Sequence, residues 1–192
     1  MSEVDVLALP RPVSALIVDD VVLRPFEPAD IDALYAYRND RELVSQLGGF
    51  SVGYSRSDLA TWIERRRTVT DEILWAIADV SDDRCIGHVG LYRIDARVRR
   101  AEIAILIGER DRQGRGIGTA VTRAVVTYGF RELNLHRIAL QVLATNDRAM
   151  RFYESLGFTR EGSLRHHQFR DGAYVDMVLM SILDDEWATK FG

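Results

Sequence analysis

The sequence has few of the features that mark secreted, membrane-spanning or disulfide-bonded proteins. It contains a single cysteine, Cys85, among 192 residues, so no disulfide can form within the chain, and we expect this thiol to be a small residue of a strand or core. No apolar run reaches the roughly 18 residues that a membrane-spanning helix needs. The first residues include Glu3 and Asp5, where a secretory signal would be basic. We therefore expect a cytoplasmic protein without a membrane partner.

An excess of positive charge is also lacking. The 25 Lys and Arg against 29 Asp and Glu give a formal net charge of −4 at pH 7, which argues against direct nucleic-acid binding and weakly favours a cationic substrate. Hydrophobic residues make up 47% and charged residues 28%, the balance of an ordinary folded domain. We expect one domain over residues 16–192, preceded by a poorly ordered tail over residues 1–15.

Hydrophobic periodicity and turn residues predict a mixed α/β fold, with a central sheet of about seven strands and helices on both faces. Two helices are expected after the first strand, and the first of them should bury a stripe of Ile31, Leu34 and Tyr35. A longer helix is expected over 116–133, and another begins at Asn146 and ends at Gly157. The expected strands are 16–24, with a break at Asp19–Asp20, and 74–80, 85–94, 103–107, 136–143, 158–168 and 174–183.

Three glycines, Gly114, Gly116 and Gly118, stand where a charged loop after a strand opens into the long helix. Glycine has no Cβ, so the backbone can approach a ligand closely and turn its N–H groups toward one point. The N-terminus of a helix also favours negative charge. The segment therefore indicates a phosphate or pyrophosphate site, with a merely flexible connection as the alternative.

Two familiar phosphate loops do not fit this segment. A Walker loop ends in Gly-Lys-Ser or Gly-Lys-Thr, whereas Gly118 is followed directly by Thr119. A dinucleotide fingerprint needs a glycine in place of Thr119 and an acidic residue at the end of a second strand. Glu132 has the right distance for that residue but lies in the predicted helix, so both loops are excluded.

The pattern Gln113-x-x-Gly116-x-Gly118 resembles the acyl-CoA pyrophosphate loop of the GNAT superfamily of N-acetyltransferases. A second stretch, taken alone, is a helix that Asn146 caps and in which Tyr153 is a core residue. It is nevertheless similar to the second GNAT signature, which this sequence matches at Asn146, Ala149, Tyr153, Gly157 and Phe158. Segments 133–138, 161–165, 170–172 and 176–180 are similar to the RimJ/RimL-like branch, which holds acetyltransferases of ribosomal-protein N-termini, polyamines and amino sugars.

This resemblance implies a GNAT fold, acetyl-CoA as co-substrate and a primary amine as acceptor, which attacks the thioester directly. By resemblance, the central strand splays from its neighbour and presents the backbone N–H groups of Leu106, Ile107 and Gly108 to the pantetheine and acetyl carbonyl. Asn146 would bond the pantetheine arm. The side chains of Arg112 and Arg115 would add positive charge, unless they are simply solvated. The implied diphosphate site comprises Gln113, Gly114, Arg115, Gly116, Ile117, Gly118 and Thr119.

The resemblance also implies two catalytic residues. Tyr153 occupies the position of the general acid that protonates the CoA thiolate. Glu102 is the candidate base, because a lone carboxylate among apolar strand residues is costly without a purpose. The structural alternative is an ion pair of Glu102 with Arg99 or Arg100. Some protein N-terminal acetyltransferases instead carry a glutamate on the following strand, where this sequence has Gln141, and glutamine cannot serve as a base.

The sequence also leaves alternative functions and bears on a metal site, on acceptor choice and on pairing with a second copy. A degenerate GNAT domain that binds acyl-CoA as a sensor, without turnover, is the main alternative to an enzyme, and a nucleotide-binding regulator is a distant third. No metal site is expected, because His166 and His167 are adjacent on a strand and point to opposite faces. Acceptor choice is expected to depend on residues 38–54, the first helices and residues 166–174. A homodimer is plausible only because relatives of this kind often form one.

Overall fold

The structure, a computed structural model, describes residues 16–47, 53–66 and 68–192. The tail expected over residues 1–15 lies outside the described residues. The strands are β1 Leu16–Val18, β2 Val21–Arg24, β3 Ile73–Asp79, β4 Cys85–Asp95, β5 Arg100–Ile107, β6 Arg137–Leu143, β7 Thr159–Arg170 and β8 Ala173–Leu183. The helices are α1 Ile31–Arg38, α2 Arg41–Ser45, α3 Arg56–Arg66, α4 Ile117–Arg131, α5 Asp147–Ser155 and α6 Asp184–Phe191, with short 3-10 turns at Pro28–Asp30 and Arg110–Arg112.

The eight strands form one mixed sheet in the order β1-β2-β3-β4-β5-β6-β8-β7. Its neighbours are antiparallel except β5 and β6, which run parallel. The sheet has one strand more than expected because a turn at Asp19–Asp20, with Asp19 at φ 50°, folds the first stretch into a hairpin. The mixed α/β class predicted from the sequence is confirmed.

Two helices were not expected from the sequence. The five-residue α2 exists because the side chain of Asp40 caps it, accepting hydrogen bonds from the backbone N–H groups of Glu42 and Leu43. The C-terminal α6 has only a narrow apolar face, and its Trp187 is buried in the larger core. Neither pattern is periodic for long enough to be recognised in the sequence.

The helices cover both faces of the sheet because side chains alternate along each strand. Trp75 and Ile77 of β3 point into the larger core, which α4, α5 and α6 complete. Ala76, between them, points into a smaller core under α1, α2 and α3. The buried stripe of α1 is Leu34 and Tyr37, not Tyr35, which is exposed.

The pairing between β5 and β6 ends after three residues. Arg100, Ala101 and Glu102 lie opposite Arg137, Ile138 and Ala139, and no later pair joins the two strands in the part of the chain that is described. On their other edges β5 remains paired with β4 as far as Ile107, and β6 with β8 as far as Leu143. The two strands therefore part and leave a gap in the middle of the sheet.

No helix within residues 16–47, 53–66 and 68–192 is long and apolar enough to cross a bilayer.

Gly87 should be essential for the position of β5. A Cβ built on Gly87 would overlap the carbonyl oxygen of Leu106 on the adjacent strand, whereas a Cβ on Gly162 of β7 meets nothing within 4 Å. Because backbone cannot yield as a flexible side chain can, we expect Gly87→Ala to lower the free energy of unfolding by about 2 kcal/mol or more. Gly162→Ala should change it by less than about 0.5 kcal/mol. Urea denaturation measures both, and equal midpoints for the two variants would contradict this account.

Candidate active site

A cleft of about 450 Å³ lies at the end of β5, beyond the last pair that β5 forms with β6. Its lining brings together most of the cofactor-binding residues predicted from the sequence: Leu106, Ile107, Gln113, Gly114, Gly116, Gly118, Thr119 and Asn146. The remaining lining residues are Leu43, Gln46, Leu47, Arg112, Arg148, Ala149 and Phe152. Arg115, Ile117 and Gly108 lie beside the cleft in sequence and do not line it.

The glycine loop has the conformation that its sequence requires. Gly114 has φ 74° and Gly116 has φ 86°, values that side chains rarely adopt. Gly116 is the N-cap of α4, and no side chain caps this helix. The first N–H groups of α4 therefore keep their donor capacity for a ligand, and the helix dipole favours an anion there.

Two side chains fix the loop to the sheet. The side-chain amide of Gln113 donates to the carbonyl oxygen of Ile107 at 2.9 Å, which ties the loop to the end of β5. Arg112 forms an ion pair with Asp79 of β3. Hydrogen bonds from Ser81 and the charge of Arg112 hold the pKa of Asp79 below its usual value, so this anchor is charged at neutral pH. Arg112 is thus engaged in a structural pair, whereas Arg115 is exposed.

The end of β5 differs in one respect from the arrangement that the resemblance implied. The N–H of Gly108 donates to the carbonyl oxygen of Ile86 at 2.7 Å and is therefore committed to β4. Successive N–H groups of a strand point to opposite edges, so the N–H of Leu106 also points toward β4, and that of Ile107 points toward the gap. Of the three expected donors, Ile107 alone is well aimed.

Tyr153 lies on α5 in the larger core, where it is 7% exposed. Its ring packs edge-on against Phe152 and Phe158 at centroid distances of 4.8 and 5.5 Å. Burial raises the pKa of Tyr153 well above the ordinary value of a tyrosine. The hydroxyl has no hydrogen-bond partner among the described residues and keeps its proton throughout the neutral range.

Asn146 has two bonds in the structure. Its side-chain oxygen accepts from the N–H of Ala149 at 3.0 Å, the N-cap bond expected from the sequence. Its amide nitrogen donates at 3.1 Å to the carbonyl oxygen of Gln46, which follows α2. The same nitrogen carries a second N–H, which remains available to a ligand in the cleft while the bond to Gln46 is kept.

Glu102 lies on the face of the sheet that carries α1, at the last pair before the gap. Its carboxylate accepts from Arg93 of β4 at 2.8 Å, and its side chain is 36% exposed. The structural partner is thus Arg93 and neither Arg99 nor Arg100, the two partners considered from the sequence. Arg99 instead bonds the carbonyl and side chain of Asn134, and Arg100 lies 3.9 Å from Asp95.

Part of the cleft could not be found from sequence motifs. Leu43, Gln46 and Leu47 form one wall because the carbonyls at the end of α2 are held from two sides, by Asn146 and by Arg170, which bonds the carbonyl of Ser45 at 3.0 Å. Arg148 is an exposed cation at the mouth of the cleft. Arg148 could have been predicted from the sequence by its position two residues after Asn146 in the second signature.

Several other side chains are excluded from chemistry at the site. Cys85 is buried, and burial raises the pKa of its thiol to about 11, so it is the core residue that was expected. His88 is also buried, which lowers its pKa to about 3, and it lies 3.3 Å from the hydroxyl of Tyr37. His166 stacks on Tyr174, and no group of three potential metal ligands occurs in residues 16–47, 53–66 and 68–192.

The chain is similar to known acetyltransferases over nearly its whole length. It is 29% identical over 175 residues to the uncharacterized N-acetyltransferase p20 of Bacillus licheniformis, covering 90% of this chain and 98% of that protein. It is 28% identical over 170 residues to the spermidine N(1)-acetyltransferase of Vibrio cholerae, covering 88% and 96%. The crystal structure of the Vibrio cholerae spermidine N-acetyltransferase with CoA and spermine superimposes with a TM-score of 0.81 at 29% identity, covering 88% of this chain and 98% of that one.

A family model described as the acetyltransferase (GNAT) domain matches residues 20–159. This match covers the three-residue pairing of β5 with β6, the glycine loop and Tyr153. The protein is therefore an acetyltransferase that belongs to the GNAT domain family.

Proposed function

We propose that this protein transfers the acetyl group of acetyl-CoA to a primary amine by direct attack. The observation that carries the proposal is the cleft at the end of β5, which is lined by the uncapped start of α4 and by the first half of α5, the helix that carries Tyr153. The relative of known structure binds CoA and spermine. Residues 16–192 then form one GNAT domain, since α6 packs into the larger core. The RimJ/RimL-like branch, pairing with a second copy and a cytoplasmic location stay predictions.

The cleft fits the CoA end of such a substrate. The N–H groups at the start of α4 would bind the diphosphate, because Gly114 and Gly116 let the backbone turn toward it. Arg148, and Arg115 next to the loop, would add positive charge for the phosphates. The N–H of Ile107 would donate to the thioester carbonyl, where negative charge develops during acyl transfer.

The reaction has two proton demands. The amine nitrogen forms a bond to the thioester carbonyl carbon as the carbon–sulfur bond breaks, which yields an amide and the CoA thiol. A lysine-like amine has a pKa near 10.4 and an α-amine near 8, so the attacking nitrogen must lose a proton at neutral pH. Glu102 would accept that proton through water, and Tyr153 would give its proton to the departing thiolate. The second proton, which the nitrogen loses as the amide forms, goes to solvent, from which Tyr153 regains its own.

The positions of these two groups support a reaction through the gap. Glu102 lies on the α1 face of the sheet, whereas Tyr153 belongs to the core on the α4 face. A thioester held between the parted strands would thus have the amine and its base on one side and the thiolate and its acid on the other.

Release of free thiol from acetyl-CoA on addition of amines tests the activity. Binding of acetyl-CoA without release for any amine would favour the sensor alternative.

Tyr153→Phe should lower kcat by at least about tenfold, because the thiolate loses its proton donor. Acetyl-CoA affinity, measured by calorimetry, should stay within about twofold, because the ring and its packing remain. Tyr128→Phe is the matched control, since Tyr128 is a half-buried tyrosine of α4 that packs on Trp75 away from the cleft. Parental turnover in the Tyr153 variant would refute the acid role.

Glu102→Gln should lower kcat/KM by about a hundredfold or more if the carboxylate accepts the amine proton. The loss should shrink as pH rises, because more of the amine is then already neutral. Glu161→Gln is the control, since Glu161 is similarly exposed and pairs with Arg137 in the same way. If both variants lose activity to the same small extent, Glu102 serves only as the structural partner of Arg93.

Gly116→Ala should weaken acetyl-CoA binding by at least about tenfold, because the left-handed backbone that aims the N–H groups becomes strained. Gly172→Ala is the control: it has φ 82° in the β7–β8 hairpin and, like Gly116, nothing within 4 Å of an added Cβ. Both substitutions should lower the free energy of unfolding by about 1 kcal/mol. Equal acetyl-CoA affinities for the two variants would contradict a diphosphate site at this loop.

A further inference from the structure

A group of arginine and aromatic side chains lies on the face of the sheet that carries α1 and α3. Arg38, at the end of α1, has its guanidinium carbon 4.2 Å from the ring centroid of Trp62 and 5.6 Å from that of Tyr54. The guanidinium carbon of Arg66 lies 5.1 Å from the same Trp62 ring. We call these four residues the guanidinium–aromatic cluster.

The two arginines of this cluster differ in charge balance. Arg66 forms an ion pair with Glu72, whose side chain is 20% exposed. Arg38 has no carboxylate partner and no hydrogen-bond acceptor for its guanidinium among the described residues, and its Nε is buried. Aromatic rings offset part of the cost of burying this cation, but they do not supply a counter-charge. Arg38 is therefore a half-buried cation without a counter-charge among the described residues.

The cluster is next to the proposed base. Tyr92 of β4 lies directly opposite Glu102 of β5 in the strand register. Arg66 pairs with Glu72, which directly precedes Ile73, and Ile73 lies opposite Leu91, the neighbour of Tyr92, so the register brings the cluster to this part of β4. Burial and the charge of Glu72 raise the pKa of Tyr92 to about 12, and the charges of Arg38 and Arg66 oppose this increase. The base, the phenol and Arg38 thus follow one another along this face, away from the gap.

Tyr54 is held beside Arg38 by hydrogen bonds to the adjacent Asn39. The Asn39 side chain donates to the carbonyl of Tyr54 at 3.0 Å and accepts from its N–H at 2.8 Å. The segment that carries Tyr54 is therefore fastened to the end of α1. The bonds hold the backbone of Tyr54 in the position from which its ring reaches the guanidinium of Arg38.

We infer that the acceptor is an amine that also carries an anionic group, a carboxylate or a phosphate ester, which pairs with Arg38 when the amine reaches Glu102. This inference rests on the proposed function and names its substrate class. A polyamine would place a further ammonium group near an unpaired guanidinium, which is unfavourable. The net charge of −4 weakly favoured a cationic substrate, but the local charge beside the base points to an anionic one.

The experiment compares acceptors that share an amine and differ in charge. Thiol release is measured for glucosamine against glucosamine 6-phosphate, for alaninamide against alanine, and for spermidine. We expect the anionic member of at least one pair to have a kcat/KM at least tenfold above that of its uncharged counterpart and above that of spermidine. The pair in which this preference occurs distinguishes a phosphate from a carboxylate.

Arg38→Gln should bring the preference ratio of that pair close to one, mainly by raising KM for the anionic member. Arg38→Lys should restore part of the ratio, because it returns the charge without the planar donor pair. Arg56→Gln is the matched control, since Arg56 stacks on Tyr35 at the same 4.2 Å but is exposed and already paired with Asp32. It should leave the ratio unchanged.

Two outcomes would overturn the inference while leaving the proposed function intact. One is a preference for spermidine or for the uncharged members. The other is an equal loss for every acceptor in Arg38→Gln, which is the result expected if Arg38 only supports Trp62. Absence of thiol release with every amine would instead refute the proposed activity, and calorimetry of glucosamine 6-phosphate with the CoA-saturated protein would then test the anion site directly.

Discussion

The short ladder between β5 and β6 is the constraint on which the rest of the structure depends. A strand in the middle of a sheet normally pairs on both edges, because unpaired buried backbone groups are costly. Here the pairing stops at Glu102 and Ala139, and β5 continues to Ile107 with only β4 beside it. The N–H of Ile107 then needs another acceptor, and the gap provides room for one. The free edge of β5 beside the cleft and the separation of the proposed acid, Tyr153, from the proposed base, Glu102, both follow from this parting.

A strand with one free edge must be held in place by other means. The end of β5 is fixed by the Gly108 N–H bond to Ile86 and by the Gln113 bond to the Ile107 carbonyl. From the α1 side, the ring of Tyr37 packs so closely on Gly108 that no Cβ could be added there. Arg112 and Asp79 then fasten the loop to β3. The donors of the cleft are therefore set before any ligand arrives, as preorganised stabilisation of a developing charge requires.

Features that depend on a few neighbouring residues could be predicted from the sequence, and features that depend on strand register could not. The entry of the glycine loop into α4 and the caps at Asn146 and Gly157 are local, and the sequence patterns identified them correctly. The predicted partner of Glu102 was wrong because only its sequence neighbours Arg99 and Arg100 were considered. The ladder is interrupted after the Tyr92–Glu102 pair, where Arg93 has φ 50°, and this brings Arg93 to Glu102. Tyr35 and Tyr37 fit similar helical periodicities, and only contact with the sheet decides which one is buried.

The two faces of the sheet also differ in the kind of chemical group that they offer to a substrate. On the α4 side, the hydrogen-bond donors are backbone N–H groups at the start of a helix. Their direction depends on the glycines of the loop, so most side chains nearby can change without loss of these donors. On the α1 face of the sheet, outside the lining of the cleft, the inferred recognition of the acceptor would depend on side chains such as Arg38 and Trp62, whose replacement leaves the ladder and the glycine loop untouched. Substrate choice can therefore change without disturbing the CoA end. For this reason a likeness to spermidine acetyltransferases at 28–29% identity supports the donor more strongly than it supports a polyamine acceptor.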